Sequence, residues 1–144
     1  MKAVRLLEYG GLLVFNDVPT PTIAGDEILV KIRSTAVNHL DLVEASGTAR
    51  QILPIDLPWI PGHEFSGVVE QIGSAVAACA SGDAVFGTTS GMGAYAEYLA
   101  VKAAAIARKP STSHLRRRHQ CRWPPKLHGR DSSPTVNWKR VKRS

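Results

Sequence analysis

Ile60-Pro61-Gly62-His63-Glu64-Phe65-Ser66-Gly67-Val68-Val69-Glu70-Gln71-Ile72-Gly73 is the stretch on which the reading of this chain turns. Pro61 holds φ at about −65° and Gly62 can take positive φ, so the backbone turns sharply just before two ionisable side chains. Ser66 to Ile72 is short, carries β-branched residues and is bounded by glycine, which predicts a strand bent at Gly67 and Gly73. His63 and Glu64 then sit at the start of that strand, aimed into a cleft, and are candidates for chemistry.

On the N-terminal side, Met1–Tyr9 and Leu12–Val18 are apolar-rich runs split by Gly10-Gly11, the pattern of a hairpin. Ile28 to Val37 alternates Lys31 and Arg33 with Val30, Ile32 and Thr35, the period of a half-buried strand. Asn38 can cap a helical turn over His39–Ala45, ended by Gly47. Arg50 to Trp59 contains two prolines and no periodicity, which predicts a loop over the site.

On the C-terminal side, Gly82–Gly87 is a short strand between glycines and Thr88–Gly93 a flexible loop. Ala94–Val101 is a further strand with aromatics placed to pack, and Ala103–Ala107 suits helix or strand. Many short strands at these intervals predict a small barrel or sandwich.

Composition divides the chain in two. Residues 1–109 hold eight Lys/Arg against eleven Asp/Glu, a net −3, whereas residues 110–144 hold ten Lys/Arg and one Asp, a net +9. No apolar run reaches the length of a membrane helix, and the N-terminus lacks a signal-peptide core. Two cysteines, Cys79 and Cys121, do not make a disulfide framework, so a reduced, cytoplasmic setting is expected.

The basic segment has no hydrophobic period and contains Arg116-Arg117-Arg118, Pro124-Pro125 and Lys139-Arg140-Val141-Lys142-Arg143. Clustered cations beside Trp123 and Trp138 are the makings of a nucleic-acid arm, and a disordered, solvated tail is the plainer reading. His114, His119, Cys121 and His128 match no zinc spacing.

With these pieces in view, residues 1–109 resemble the N-terminal GroES-like catalytic domain of the medium-chain dehydrogenase/reductase superfamily. The resemblance rests on Val30-Lys31-Ile32 through Ala36-Val37-Asn38-His39-Leu40-Asp41, then Pro61-Gly62-His63-Glu64 with Gly67-Val68-Val69. Gly82-Asp83-Ala84-Val85-Phe86-Gly87 and Gly93-Ala94-Tyr95-Ala96-Glu97-Tyr98 follow in the same order. It implies a mainly β, partly open barrel, and an enzyme whose other half is a Rossmann domain binding NADPH or NADH.

Two branches of that superfamily are separable here. Zinc alcohol dehydrogenases carry a cysteine ligand where this chain has Asn38 and a proton-relaying serine or threonine where it has Leu40. His63, Glu64 and Asp41 match the zinc pattern, with Asp41 expected to hydrogen-bond His63, but His63 is the one good ligand candidate. Asn38 instead resembles the zinc-independent quinone-reductase branch, which implies hydride transfer from a reduced nicotinamide to a quinone or an α,β-unsaturated carbonyl.

On that branch Asn38 would lie near the nicotinamide or the substrate carbonyl, with His39 a further cofactor contact unless it faces solvent. His63 would donate to a developing oxyanion, oriented by Asp41, and Glu64 completes the candidate set. The plain alternative is that His63 and Asp41 pair only to hold the turn. Glu44 is the sole polar side chain of Leu42–Ala45, where a tyrosine-like donor is expected. Asp83 reads as a turn residue, Tyr95 and Tyr98 as packing aromatics, and Cys79 as a thiol with no basic neighbour to activate it.

The pattern stops after Arg108-Lys109-Pro110. No Gly-x-Gly-x-x-Gly occurs anywhere in the sequence, and the switch in composition near Ser113 is what a shift of reading frame would produce. The expectation is a truncated catalytic domain that binds NADPH poorly and is inactive alone. The rival readings are a zinc-type fragment and a non-enzymatic fragment with a nucleic-acid-binding tail.

Overall fold

The computed structural model describes residues 1–90 and 93–110, and the backbone of 135–136. Strand β1 (Lys2–Leu6) pairs antiparallel with β2 (Leu13–Asp17), and Gly10, at φ 72°, supplies the left-handed turn between them. The larger sheet is built on β3 (Glu27–Ala36), which pairs antiparallel with β4 (Glu64–Ile72) on one side and β6 (Tyr98–Lys102) on the other. Beyond β4 lie β5 (Ala84–Thr88) and β7 (Ile106–Arg108), giving the order β6-β3-β4-β5-β7.

The mainly β class is as expected, and its partly open barrel takes the form of two open sheets, not closed into a barrel. The Ala103–Ala107 ambiguity resolves as one turn of 3₁₀ helix over Ala103–Ala105 running into β7. Of the basic segment, Pro110 and the two-residue strand β8 (Thr135–Val136), paired with Thr35 and Ala36, are described. The arm, the tail histidines and the frame-shift reading fall outside the described residues.

β3 is central because both its faces are covered. Only Lys31 and Arg33 among its middle residues escape burial, so the expected half-buried alternation is an underestimate. Ile28, Val30 and Ile32 meet Phe65, Val69, Val85, Leu99 and Val101 in the main core. The pairing of β3 with β4 slips between Ile32 and Ser34, a bulge that Ser34 and Ser66 close with a buried hydroxyl pair at 2.8 Å. Thr35 then donates to the Glu64 carbonyl at 2.7 Å.

That pairing positions the site. β3 ends beside the start of β4, so the chain leaving β3 and the chain entering β4 are neighbours. The first becomes helix α1 (His39–Ser46); the second is the Pro61-Gly62-His63 turn.

Three expectations are corrected. Ala94–Glu97 is not part of β6: it crosses to β1, where Tyr95 O accepts from Val4 N–H and Ala96 bridges Ala3. The 50–59 loop is not a cover over the candidate residues. It docks Ile55 and Trp59 on Leu6, against Tyr9 and Ala45, forming a second small core.

Gly67 is also not a bend. It lies within β4, paired with Ile32 and Val85, where a Cβ would come within 2.4 Å of the Lys31 carbonyl oxygen and 2.7 Å of Val30 Cγ1. Its hydrogen lets two backbones approach. Gly67→Ala is expected to cost about 3 kcal/mol, read as a lower urea midpoint at unchanged slope; an unaltered midpoint would show that β3 and β4 can part without penalty.

Candidate functional site

Helix α1 begins at Asn38 and stops at Gly47, whose φ of 72° is the left-handed end expected of glycine. Asp41 occupies the third helical position and reaches back to accept from the Asn38 N–H at 2.7 Å, an acidic cap on the positive end of the helix. Asp41 and Glu44, three residues apart, share one face, and both are buried. His39 is exposed, and Leu42 is largely so.

The turn supplies the other half. Gly62 adopts φ 100°, and a Cβ there would stand 2.5 Å from Tyr95 Cδ1, so the tyrosine ring lies on the glycine. The Gly62 N–H donates to Asp41 Oδ1 at 3.0 Å, and the Tyr95 hydroxyl donates to Asp41 Oδ2 at 3.1 Å, with Ala36 O a second acceptor at 3.3 Å. One carboxylate thus receives the helix cap, the turn and an aromatic from the crossing segment.

His63 is held differently from the expectation. Its Nε2 is 3.8 Å from Asp41 Oδ1, beyond hydrogen-bond range, and 2.8 Å from Glu44 Oε2. Asp41 spends its oxygens on three other donors, which leaves Glu44 to meet the imidazole. The structure brings Asn38, Asp41 and His63 to one node, without the expected Asp41–His63 hydrogen bond, and adds Glu44 and Tyr95. Glu44 appeared in the sequence only as a polar side chain and Tyr95 only as packing. His39 stays apart on the exposed face. Glu64 is buried at the start of β4 and does not join the Asp41–Glu44–His63 group.

A cavity of about 260 Å³ adjoins this node. Val4, Leu13 and Phe15 of the hairpin, Leu42 and Ala45 of α1, and Pro61 give it an apolar wall, and Asp41 and Tyr95 reach it from the node. Asn38, His63 and Glu64 do not line it. Its volume is just under the roughly 300 Å³ at which small-molecule pockets begin.

Asp41, Glu44 and His63 hold ligand atoms within 4.8 Å of one another, but their hydrogen bonds make them a poor match for a catalytic zinc. A catalytic zinc takes three ligands with free lone pairs and an open fourth position. Asp41 is committed to three donors, and Nε2 of His63 is turned to Glu44. The remaining candidates are structural: Asp83 accepts from the Ala80 N–H and pairs with Arg108 at 2.9 Å. Cys79 is buried in the main core, where burial first and the Asp83 charge second push its thiol up. Arg108, which acts weakly against that shift, is a basic neighbour the sequence did not reveal.

Burial, then the Asp41 charge, then the hydrogen bond to it hold the Tyr95 phenol above the ordinary tyrosine range. Its contribution to stability is complete below about pH 10, the unfolded value, and is lost as pH rises beyond it, because the unfolded chain releases that proton first. The stability advantage of the native chain over Tyr95→Phe is expected to shrink as urea midpoints are followed from about pH 8 to 11. A gap constant across that range would show that the phenol is not buried against Asp41.

These features have relatives. Residues 24–111 match the model of the alcohol dehydrogenase GroES-like domain. The quinone oxidoreductase of Lama guanicoe is 37% identical over 101 residues, covering 68% of this chain and 30% of that protein. Among solved structures, quinone oxidoreductase from Coxiella burnetii superposes with a TM-score of 0.75 at 29% identity, over 80% of this chain and 38% of that one. The Escherichia coli quinone oxidoreductase complexed with NADPH gives 0.73 at 26% identity, over 80% and 35%. The chain spans about a third of the length of these relatives. With the capped helix, the Pro61-Gly62-His63-Glu64 turn and the domain match in agreement, the chain belongs to the alcohol dehydrogenase GroES-like domain family.

Proposed function

We propose that this chain is the substrate-side part of an NAD(P)H-dependent oxidoreductase acting on a small quinone or an α,β-unsaturated carbonyl. The observation that carries the reading is the node itself: one partly open imidazole, backed by two buried carboxylates, beside an apolar cavity of about 260 Å³. In this reading His63 donates to the oxygen that gains negative charge, and Asn38 contributes at the helix start. Asp41 fixes the frame, Glu64 supports the β4 start, and His39 takes no part. Apolar walls suit a flat, weakly polar acceptor.

The described residues do not fit the phosphates of a nicotinamide dinucleotide. Pyrophosphate is commonly seated on a helix N-terminus. Among the described residues α1 is the only α-helix, and the Asp41 carboxylate already occupies its first turn. That negative charge would repel a second anion. The coenzyme, when bound, supplies the hydride, and the described residues act on the acceptor side only. Of the rivals, the zinc reading meets the donor-set mismatch described above.

The test is a chimera in which residues 1–110 replace the matching segment of the Escherichia coli quinone oxidoreductase. NADPH oxidation with a small quinone is expected from the chimera and not from this chain alone. His63→Gln in the chimera is expected to lower kcat by about 100-fold. A folded chimera that binds NADPH and reduces neither acceptor class would overturn the proposal. Stoichiometric zinc retained after dialysis would restore the zinc reading.

A further inference from the structure

We propose that Glu44 and His63 form a carboxylate–imidazole dyad, with Glu44 the positioning residue and Nδ1 of His63 the atom that exchanges a proton with a ligand. The pairing is direct, at 2.8 Å between Glu44 Oε2 and Nε2. Glu44 is 5% exposed, so solvent does not compete for it. Asp41 cannot take its place: it is 3.8 Å away and already receives the Asn38 N–H, the Gly62 N–H and the Tyr95 hydroxyl.

A carboxylate in this position accepts and does not donate, so Nε2 carries its hydrogen at all times. Exchange with a ligand is then left to Nδ1, on a side chain that is 20% exposed. This is the logic of a carboxylate that fixes an imidazole's tautomer and orientation while its other nitrogen works. The step balances with water as the one further reactant. In the imidazolium, whose second proton comes from water, the Nδ1–H bond breaks as an O–H bond forms on an anionic ligand oxygen, leaving the neutral ring with its hydrogen on Nε2.

The inference deepens the reading of His63 given above and rests on it, but its test uses no nicotinamide, so the two can fail separately. The full chain is treated with diethyl pyrocarbonate across a pH series, and acylation of His63 is followed by peptide mass spectrometry. His39, exposed at the start of the helix that carries Glu44, is the internal reference. The limiting rate at the alkaline plateau is compared, which removes differences in protonation. Glu44→Gln keeps an acceptor on Nε2 but removes the charge that makes the ring electron-rich, and is expected to lower that limiting rate by about threefold or more.

If Glu44 only holds the turn, the same variant loosens the ring, and His63 reacts as fast or faster; either result overturns the dyad. Should Glu44→Gln fail to fold, ¹⁵N-histidine spectra of the native chain decide alone. A hydrogen on Nε2, slow to exchange with water, supports the dyad. A neutral His63 carrying its hydrogen on Nδ1 overturns it.

Discussion

Everything near the site depends on the burial of one carboxylate, that of Asp41. An ionised group at that depth is tolerated only when its lone pairs are met, and here three donors from three separate parts of the chain meet them. The Asn38 amide comes from the start of α1, the Gly62 amide from the turn before β4, and the Tyr95 hydroxyl from the segment crossing to β1. The two backbone donors would be stranded without the carboxylate, at about 1–3 kcal/mol apiece, while the Tyr95 hydroxyl would keep only its 3.3 Å contact to the Ala36 carbonyl. The four groups therefore order one another, and none can shift alone.

The sheet makes that convergence possible. Antiparallel pairing of β3 with β4 brings the exit of one strand beside the entrance of the other, and the slip at Ile32–Ser34 adjusts the last residues of β3 before the helix begins. The Thr35 hydroxyl bond to the Glu64 carbonyl fixes the register at the point where an error would matter most. Glu64 is buried one residue beyond His63. His63 therefore stands immediately before a paired strand while retaining some access to solvent.

What could be read from the sequence is what local chemistry encodes. Gly10, Gly47 and Gly62 all take positive φ, and the hairpin, the helix end and the turn were each legible from those glycines. The alternating run of β3 and the apolar run of β4 were equally plain. Long-range relations were not. Nothing near Gly67 says that the Lys31 carbonyl will press against it, and nothing near Tyr95 says that its segment leaves β6 for β1. The choice of Glu44 over Asp41 as partner of His63 follows from competition. Asp41 looked the better candidate until three other donors were seen to claim it.

Cys79 shows what the density of the main core entails. It touches the cluster formed by Phe65, Val69 and Val85, and its thiol is disfavoured as the reactive thiolate both by burial and by Asp83. Such a sulfur is silent toward alkylating reagents while the sheets hold together, and reacts when they separate. The molecule thus carries its own clock for the opening of its interior, readable as the mass that an alkylating reagent adds to a single peptide.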